Sequence, residues 1–364
     1  SSLRVADSTA ATDALTDSSL LSEKYRETLA EPNLIVNGAM AVSQENLAVA
    51  VTCGGVGDVK YPVDVFHLVG STASVFQAQQ DMDSATVGHP EFPHHVGLTA
   101  LSSVTPGVSD YYVLRAHIEG VRMAKLRWGT PQARPVGLVI RIRATSAGTL
   151  GGTIRNSAVN RSYPFTLTIG ADEVNTWVTR YVHIPGDTSG TWLTGEGTIG
   201  LRVQISIGAG SAVSGAAGAW AAGSLQSAAG ATNFMVSGTK VYITGVDLYA
   251  DDYGIIRQFP HKTYPEYLQE CQRYYRKRGF ATNDIIATAY MSAGTELFTV
   301  VHQDMCKAPT AIVVGTWLVT NTVAQPVVQN SNATSVTVKA AASTSNLTMF
   351  RTAADSGLTL DARL

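Results

Sequence analysis

Short runs of alternating apolar and polar residues recur along the chain between residues 33 and 256. Such alternation places the apolar side chains on one face of a β-strand and the polar side chains on the other. The runs are Ile140–Ala144 (IRIRA), Tyr163–Ile169 (YPFTLTI), Trp177–Ile184 (WVTRYVHI), Leu201–Ile207 (LRVQISI) and Lys240–Tyr249 (KVYITGVDLY). In the last run the alternation breaks at Gly245, so a β-bulge is predicted there.

Glycine-rich turn sequences separate these strands. SAGTLGG, PGDTSG and GEG combine glycine with small polar residues, as tight turns do. Many short strands joined by turns, each with one solvated face, predict a mainly β fold with an antiparallel jelly-roll β-sandwich over residues 33–256. One connection, Gly208–Gly230, is much longer than a turn, which is typical of a functional loop or an interface element.

A helical pattern, TYPEYLQECQRYYRKRG, interrupts the β pattern within residues 257–279. Thr263 and Glu266 have the spacing of a capping box, and Pro265 lies in the first turn, where proline is tolerated. Basic residues crowd the predicted last turn, and Gly279 follows them. One short helix is therefore predicted here, linking two β regions.

Residues 280–364 return to a β pattern and are predicted to form a small C-terminal β domain. The runs are Glu296–His302 (ELFTVVH), Thr310–Val319 (TAIVVGTWLV), Ser335–Ala340 (SVTVKA) and the final GLTLDARL. A region of this size can form a small sandwich of its own or pack on the first one.

Residues 1–32 differ from the rest of the chain. The first part, SSLRVADSTAATDALTDSS, is small and polar and lacks a core pattern. Leu21, Tyr25 and Leu29 then recur at helical spacing before Pro32, so one short helix is predicted. An apolar stripe that cannot be buried locally needs a partner surface. We therefore interpret residues 1–32 as an extended N-terminal attachment arm; the alternative is a disordered leader.

The charge content restricts the class of partner. Charged residues make up 15% of the chain and the net charge is −2. Nucleic-acid binding depends on a basic excess that neutralises phosphates, so no nucleic-acid partner is expected. No run has the ~20 strongly apolar residues of a membrane span, so no membrane insertion is expected. Low charge also suits a protein that buries surface against copies of itself.

Common catalytic and cofactor motifs are missing from the sequence. It has no phosphate-binding loop, no nucleophile elbow and no HExxH zinc motif. Its three cysteines fit neither a zinc site nor a disulfide framework. A glycosidase needs two carboxylates at a set separation, and the spacing of the acidic residues pairs no two of them. We therefore expect no catalytic residues, no enzyme activity and no cofactor.

Aromatic side chains are the better candidates for ligand binding. Trp128, Tyr163, Trp192 and Trp220 lie near strand ends or in loops, and exposed aromatic rings stack on the apolar faces of sugars. These four are the predicted glycan-binding residues, with Trp192 and Trp220 the better candidates for exposure because of their turn and loop contexts. The alternative is that the rings fill the core of the sandwich.

An ordered set of phrases along residues 33–364 resembles bacteriophage tail-fibre and other virion-fibre proteins. The phrases are NLIVNGAMAVSQ (Asn33–Gln44), IEGVRMAKLRWGT (Ile118–Thr130), GGTIRNSAVNRSYPF (Gly151–Phe165), HIPGDTSGTW (His183–Trp192), VYITGVDLY (Val241–Tyr249), the helix EYLQECQRYYRKR, KAPT (Lys307–Thr310) and LTLDARL. The usual DRW-like signature is VDVFHL here (Val63–Leu68), which lacks the tryptophan.

This resemblance implies a jelly-roll module similar to carbohydrate-binding modules, set in a homotrimeric fibre. The expected location is the virion, assembled in the host cytoplasm. Residues 1–32 would dock onto other virion proteins, and the jelly roll would bind host surface polysaccharide without catalysis. Related modules often hold a structural calcium near their last strand, which makes Asp247 a calcium candidate; no other metal is expected.

Three functions stay open from the sequence. The favoured one is a tail-fibre protein in which three weak glycan sites on one trimer act by avidity. The first alternative is a purely structural head or neck fibre or adaptor that binds only virion proteins. The second is a tailspike-like polysaccharide depolymerase, which would need paired acids in a groove.

Overall fold

The computed structural model describes residues 22–279, 285–291, 293–302, 304–314, 317–320, 322, 324–344, 346–352 and 357–364. The described chain is mainly β, as the alternating pattern predicted. Its α-helices are short: α1 (residues 22–30), α2 (Ser84–Val87), α3 (Gly120–Met123) and α4 (Tyr264–Gln272). None of the described helices is long and apolar enough to cross a membrane.

Two antiparallel sheets form a β-sandwich. Its strands are β1 (Val51–Thr52), β2 (Lys60–Val63), β3 (Phe66–Gly70), β4 (Phe76–Gln80), β5 (Val96–Ala100), β6 (Tyr111–Glu119), β7 (Val136–Ala144), β8 (Gly148–Asn156), β9 (Arg161–Ile169), β10 (Val178–Ile184), β11 (Ile199–Ala209), β13 (Ala221–Ala222) and β15 (Lys240–Ala250). One sheet has the order β1-β4-β5-β15-β7-β10 and the other β13-β9-β8-β11-β6-β3-β2. Two short strands, β12 (Ser214–Gly215) and β14 (Ser227–Ala228), pair separately in parallel.

The core of the sandwich lies between the two sheets. It is formed by the apolar side chains that alternate with polar ones along each strand. Strand β11 shows the rule: Leu201, Val203 and Ile205 are buried in this core, while the intervening polar residues point to the outer face of the sheet. The predicted bulge in β15 is confirmed, since the register with β7 shifts between Thr244 and Asp247. Gly245 has a φ of 54°, a left-handed conformation that glycine adopts without strain.

Helix α4 begins as predicted, with a capping box at Thr263. The backbone N–H and the hydroxyl of Thr263 donate to Glu266 Oε2 at 2.6 and 2.7 Å, and the Glu266 N–H donates to the Thr263 carbonyl. The box satisfies backbone donors that would otherwise lack partners at the first turn.

The predicted end of this helix at Gly279 is wrong. The helix ends at Gln272, and Tyr275–Gly279 forms strand β16, which pairs with Gly357–Asp361. Pairing with a distant strand, together with the burial of Tyr275, outweighs the local helical pattern. Arg273, expected in the last helical turn, instead donates to Glu119 of the sandwich.

We expect a Thr263→Ala variant to lose about 1 kcal/mol of the free energy of unfolding, because the capping box is removed. Urea unfolding followed by circular dichroism measures the change. A Thr263→Ser variant, which keeps the hydroxyl, is expected to remain close to wild type. A loss no larger than that of Thr188→Ala, at an exposed position, would contradict the role of the box.

The described residues of the C-terminal region form three three-stranded antiparallel sheets. Its strands are β16 (Tyr275–Gly279), β17 (Ile285–Met291), β18 (Glu296–His302), β19 (Ala311–Val314), β20 (Trp317–Thr320), β21 (Val327–Ser331), β22 (Ser335–Ala341), β23 (Asn346–Thr352) and β24 (Gly357–Asp361). The sheet orders are β16-β24-β19, β17-β23-β20 and β18-β22-β21. The strand predicted at Thr310–Val319 is thus two strands in two different sheets.

Helix α4 lies in the core that joins this region to the sandwich. Tyr267 and Cys271 of the helix are buried in one cluster with Val36, Val42 and Trp317. The side chains therefore come from the helix, from the start of the sandwich and from the C-terminal sheets.

The end of the N-terminal segment packs on the sandwich. Residues 22–30 are helical, as the spacing of Tyr25 and Leu29 predicted. Glu31 forms ion pairs with Lys125 and Arg134, so the end of the predicted arm is held against the sandwich. Residues 1–21 lie outside the described residues.

Candidate functional site

The four predicted glycan-binding residues meet in one aromatic cluster. Ring centroids lie 4.6 Å apart for Trp128 and Trp192, 5.3 Å for Trp128 and Trp220, and 5.2 Å for Tyr163 and Trp220. All three pairs are edge-to-face, an arrangement that aromatic rings favour.

This cluster belongs to the core, and the expected exposure of Trp192 is wrong. Trp192 is 7% exposed, and Trp128 and Tyr163 are each 4% exposed. The indole N–H of Trp192 donates to the Ser189 carbonyl at 3.1 Å, which holds the ring against its own turn. Trp220 alone of the four is half-buried, and its N–H donates to the Pro185 carbonyl. Three of the four rings are therefore unavailable for stacking, and Trp220 keeps partial exposure.

Asp247 does not have the environment of a calcium ligand. Its two carboxylate oxygens accept from Arg257 Nη2 and Nε at 2.7 and 2.8 Å. Both side chains are almost fully buried, so the guanidinium group occupies the place that a cation would take. Among the described residues, no group of three or more His, Cys, Asp or Glu side chains could hold a metal ion.

The outer face of the seven-stranded sheet carries an unusual group of polar side chains. Strand β11 is central: its Arg202 is paired with Arg155 of β8, and its Gln204 is paired with Arg115 of β6. The neighbouring pairs are Gln204 with Thr153 and Arg202 with His117. We call this set the arginine face; it consists of Arg115, His117, Thr153, Arg155, Arg202 and Gln204.

Neutral amide groups hold two of the three guanidinium groups in place. Gln204 Oε1 accepts from Arg115 Nε at 2.9 Å and from Arg155 Nη2 at 3.0 Å. Gln204 Nε2 donates to Gln226 Oε1 at 2.8 Å, and that oxygen also accepts from Arg115 Nη2. Ser224 Oγ accepts from Arg155 Nη1. These contacts fix the planes of the guanidinium groups without neutralising their charge.

The third guanidinium group is held by backbone carbonyls. Arg202 Nη1 donates to Asn156 O at 2.9 Å and to Ser157 O at 2.5 Å, at the turn between β8 and β9. Nε and Nη2 of Arg202 are left for another acceptor.

Among the residues that the structure describes, no acidic side chain forms an ion pair with an arginine of the arginine face. None of the ion pairs of the described residues includes Arg115, Arg155 or Arg202. Burial lowers the pKa of all three groups, and for Arg115 and Arg155 the neighbouring guanidinium charges lower the pKa further. A lowered pKa is expected for cations that are held close together without a counter-ion.

Buried polar atoms without partners mark the same face. Nε of Arg155, whose residue is 2% exposed, and Oγ of Ser206, also 2% exposed, have no hydrogen-bond partner. Nε2 of His117 lacks one too. Leaving a buried polar group unsatisfied is costly, roughly 1–3 kcal/mol each, so such groups in a native protein call for an explanation.

The long connection predicted at Gly208–Gly230 forms one border of the arginine face. Its residues Ser224 and Gln226 supply the contacts described above, and Thr153 Oγ1 donates to the Leu225 carbonyl. Glycine permits this close approach, because a Cβ at Gly151 would lie 2.0 Å from Ser227 Oγ. Arg115 and Arg202 stay partly exposed, whereas Arg155 and Gln204 are buried, so a ligand would reach the face at Arg115 and Arg202.

A second recess lies where α4 meets the sandwich. It has a volume of about 120 Å³ and is lined mainly by aromatic and apolar residues, among them Phe92, His261, Tyr264 and Tyr267. Tyr264 is 54% exposed. An accessible aromatic ring therefore borders this recess, as the exposed ring of Tyr253 borders a cavity beside α1.

Sequence reasoning missed the arginine face. The alternation of LRVQISI already placed Arg202 and Gln204 on the polar side of a strand, and TIRN and LRAH carry Arg155 and Arg115 in the same way. The arginine face could have been suspected because several strands carry an arginine at a polar position of the alternation, in a chain that has few charged residues. Their meeting depends on the strand order β8-β11-β6, which brings together strands distant in sequence.

Comparisons with known proteins gave structural matches only. No family model matches the chain, and no curated protein matches it. A putative sugar binding protein from Bacteroides thetaiotaomicron is 12% identical and matches 60% of this chain and all of that one, with a TM-score of 0.30. A family 11 carbohydrate-binding module from Clostridium thermocellum is 8% identical over 57% of this chain and 98% of the module, with a TM-score of 0.28.

One match comes from a phage particle. The enzymatically active domain of tailspike protein 4 of bacteriophage CBA120 is 11% identical over 59% of this chain, with a TM-score of 0.29. The match spans about a fifth, 21%, of the tailspike chain. Carbohydrate-binding modules and this tailspike domain are thus among the structures to which the chain is similar.

Proposed function

We propose that this chain is a non-catalytic virion fibre protein that binds host surface polysaccharide on the arginine face of its β-sandwich. The observation that carries the proposal is the arginine face itself: three fixed, uncompensated guanidinium groups beside buried polar atoms without partners. Ligand sites combine a preformed surface with a few convergent polar groups that orient the ligand, and the arginine face has both. The ordered phrases that resemble virion-fibre proteins support the location in a particle.

Three of the buried acids are engaged by guanidinium groups, which supports a non-catalytic role for them. A fourth, Asp64, accepts from the backbone N–H and the side-chain amide of Gln44. Glu119 accepts from both Arg273 and Tyr274, at 2.9 and 3.0 Å, and Asp187 accepts from Arg161 at 2.6 Å. Asp247 is paired with Arg257. A glycoside hydrolase needs one carboxyl free to donate a proton and another free to act as base or nucleophile. Carboxylates engaged by guanidinium groups are poorly suited to either task.

Self-association into a homotrimer, with residues 1–32 docking on other virion proteins, is part of the proposal. An exposed apolar row supports contact between copies: Phe298 is 48% and Val327 54% exposed, and both lie opposite Lys339 of the central strand β22. Avidity from three sites raises the apparent affinity without new contacts. Sedimentation equilibrium is expected to give the mass of three chains, and a single-chain mass at micromolar concentration would contradict the trimer.

The binding test uses the full chain and surface polysaccharide purified from cells that the particle infects. We expect retention on the immobilised polysaccharide, and an Arg115→Gln variant is expected to bind roughly tenfold more weakly, since hydrogen bonds from a charged donor are lost. A Trp220→Ala variant, altered in the aromatic cluster, is expected to bind like wild type. If Tyr264→Ala abolishes binding and Arg115→Gln does not, the site is the recess at α4 and the arginine face is excluded.

Two further outcomes decide between the alternatives. New reducing ends after incubation with the polysaccharide would identify a depolymerase and contradict the non-catalytic role. No binding to any host polysaccharide, together with tight binding to a purified virion protein through residues 1–32, would favour a purely structural fibre or adaptor.

A further inference from the structure

Charge distinguishes the arginine face from the rest of the molecule. The chain as a whole has a net charge of −2. Of the buried arginines elsewhere, Arg257 is paired with Asp247, and Arg141 stands by itself on the Gly245 carbonyl and the Phe92 ring. On the arginine face three guanidinium groups stand on neighbouring strands and have only amide, hydroxyl and carbonyl acceptors. An internal carboxylate would neutralise such a group, so the use of neutral acceptors leaves the positive charge available to a ligand.

The donors that remain are placed for an oxyanion. Arg115 uses Nε and Nη2 internally, which leaves Nη1, and Arg202 uses only Nη1, which leaves Nε and Nη2. Arg155 is more deeply buried than Arg115 and Arg202, and its Nε has no hydrogen-bond partner. The planar fork of a guanidinium group matches a carboxylate, sulfate or phosphate, to which it donates two parallel hydrogen bonds.

On the assumption that the arginine face binds polysaccharide, as proposed above, we propose that its ligand is an acidic polysaccharide whose oxyanion is bound between Arg115 and Arg202, with Arg155 behind it. A neutral sugar would satisfy hydrogen bonds there but would leave the three charges uncompensated. The set of side chains that forms the arginine face contains no Trp, Tyr or Phe on which a neutral sugar would stack, and Trp128 and Trp192 of the aromatic cluster are in the core. Nucleic acid is disfavoured, since three cations in a chain of negative net charge neutralise too few phosphates.

The test compares matched polymers on the full chain by biolayer interferometry: polygalacturonate, its carboxyl-reduced neutral form, dextran sulfate and dextran. We expect binding to at least one of the two acidic polymers and binding to neither neutral polymer. Which acidic polymer binds separates a carboxylate from a sulfate ligand. The binding is expected to weaken as the salt concentration rises, because the charges become screened.

Three variants isolate the guanidinium chemistry. Arg202→Gln is expected to weaken acidic-polymer binding roughly tenfold, and Arg202→Lys, which keeps the charge but loses the fork, by a smaller factor. Arg127→Gln changes the net charge equally at an exposed position away from the face and is expected to have no effect. The lysine variant also serves as a second probe if the glutamine variant folds poorly, which thermal unfolding will show.

The possible negative results separate a failure of the acidic-ligand inference from a failure of the proposed function. Equal binding to polygalacturonate and its carboxyl-reduced form would overturn the acidic ligand class and leave polysaccharide binding intact. Absence of binding to all four polymers and to the host polysaccharide would overturn both proposals. If Arg202→Gln changes the mass of the assembly in sedimentation and leaves polymer binding unchanged, the arginines pair with a second copy of the chain, which also overturns the inference.

Discussion

An Arg257→Met variant is expected to lose about 3–5 kcal/mol of the free energy of unfolding, since removing one partner leaves a buried, uncompensated charge. Arg257 makes a bidentate contact with Asp247, and the side chains of the pair are 0% and 1% exposed. Its Nη1 also donates to the carbonyl of Thr28 in α1 and to that of Glu31, just after the helix. The loss should therefore include the release of α1 from the sandwich.

Urea unfolding measures the stability, and limited trypsin digestion at Lys24 and Arg26 measures the release of α1. Lys60→Met is the matched control because its ion pair with Asp58 is exposed, and we expect a change of at most about 1 kcal/mol there. A double variant with Arg257→Met and Asp247→Leu should recover much of the loss, because no buried charge remains. A single variant no less stable than the double one would show that the charge is not the cause.

Acidification is expected to destabilise the protein through His117 and His67. Burial lowers the pKa of His117 to about 3 and that of His67 well below its usual 6.5. A histidine with a lowered pKa stabilises the fold fully above the unfolded-state pKa, and this contribution is lost as the pH falls from 6.5 through the folded pKa. At pH 4.5 the loss from His117 alone is about 3 kcal/mol, from two pH units at about 1.4 kcal/mol each.

The cause lies in the surroundings of the two rings. His67 is 2% exposed, and the ring centroids of His67 and His117 are 4.6 Å apart, so two positive charges would meet in a buried position. The guanidinium groups of Arg115, Arg155 and Arg202 add to the repulsion at His117. A positive charge is thus already concentrated here before either histidine is protonated.

Urea midpoints measured between pH 7.5 and 4.5 test the effect. His117→Asn, which keeps an N–H donor for the Leu364 carbonyl that His117 Nδ1 contacts, should show a shallower fall in stability over this range. His261→Asn, at an exposed position, should follow the wild-type curve. An unchanged slope in the His117 variant would contradict the assignment.

The sequence predicted those features that depend on neighbours along the chain. The alternation in β11 and β15, the bulge at Gly245 and the capping box at Thr263 are each encoded within a few residues, and the structure confirms them. The end of α4 could not be read in this way, because Tyr275–Gly279 is held by a strand near residue 360. Burial of Trp192 likewise depends on packing against rings brought from other segments.

The candidate site shows the same limit in a sharper form. Each arginine of the arginine face stands in a strand that alternation had identified or could have identified, so the direction of its side chain was predictable. What could not be predicted was which strands are neighbours, because β11 lies between β6 and β8. A site made from three non-consecutive strands leaves no compact motif in the sequence.

Strand β24 is the middle strand of its sheet, and β16 and β19 both pair with it and not with each other. During translation, β16 and β19 leave the ribosome well before residues 357–361 do. Until those residues arrive, both strands keep open edges that can pair with another chain, and contacts so distant in sequence form slowly. Newly made chains are therefore most open to pairing with each other in this interval, when an assembly of several copies would also begin to form.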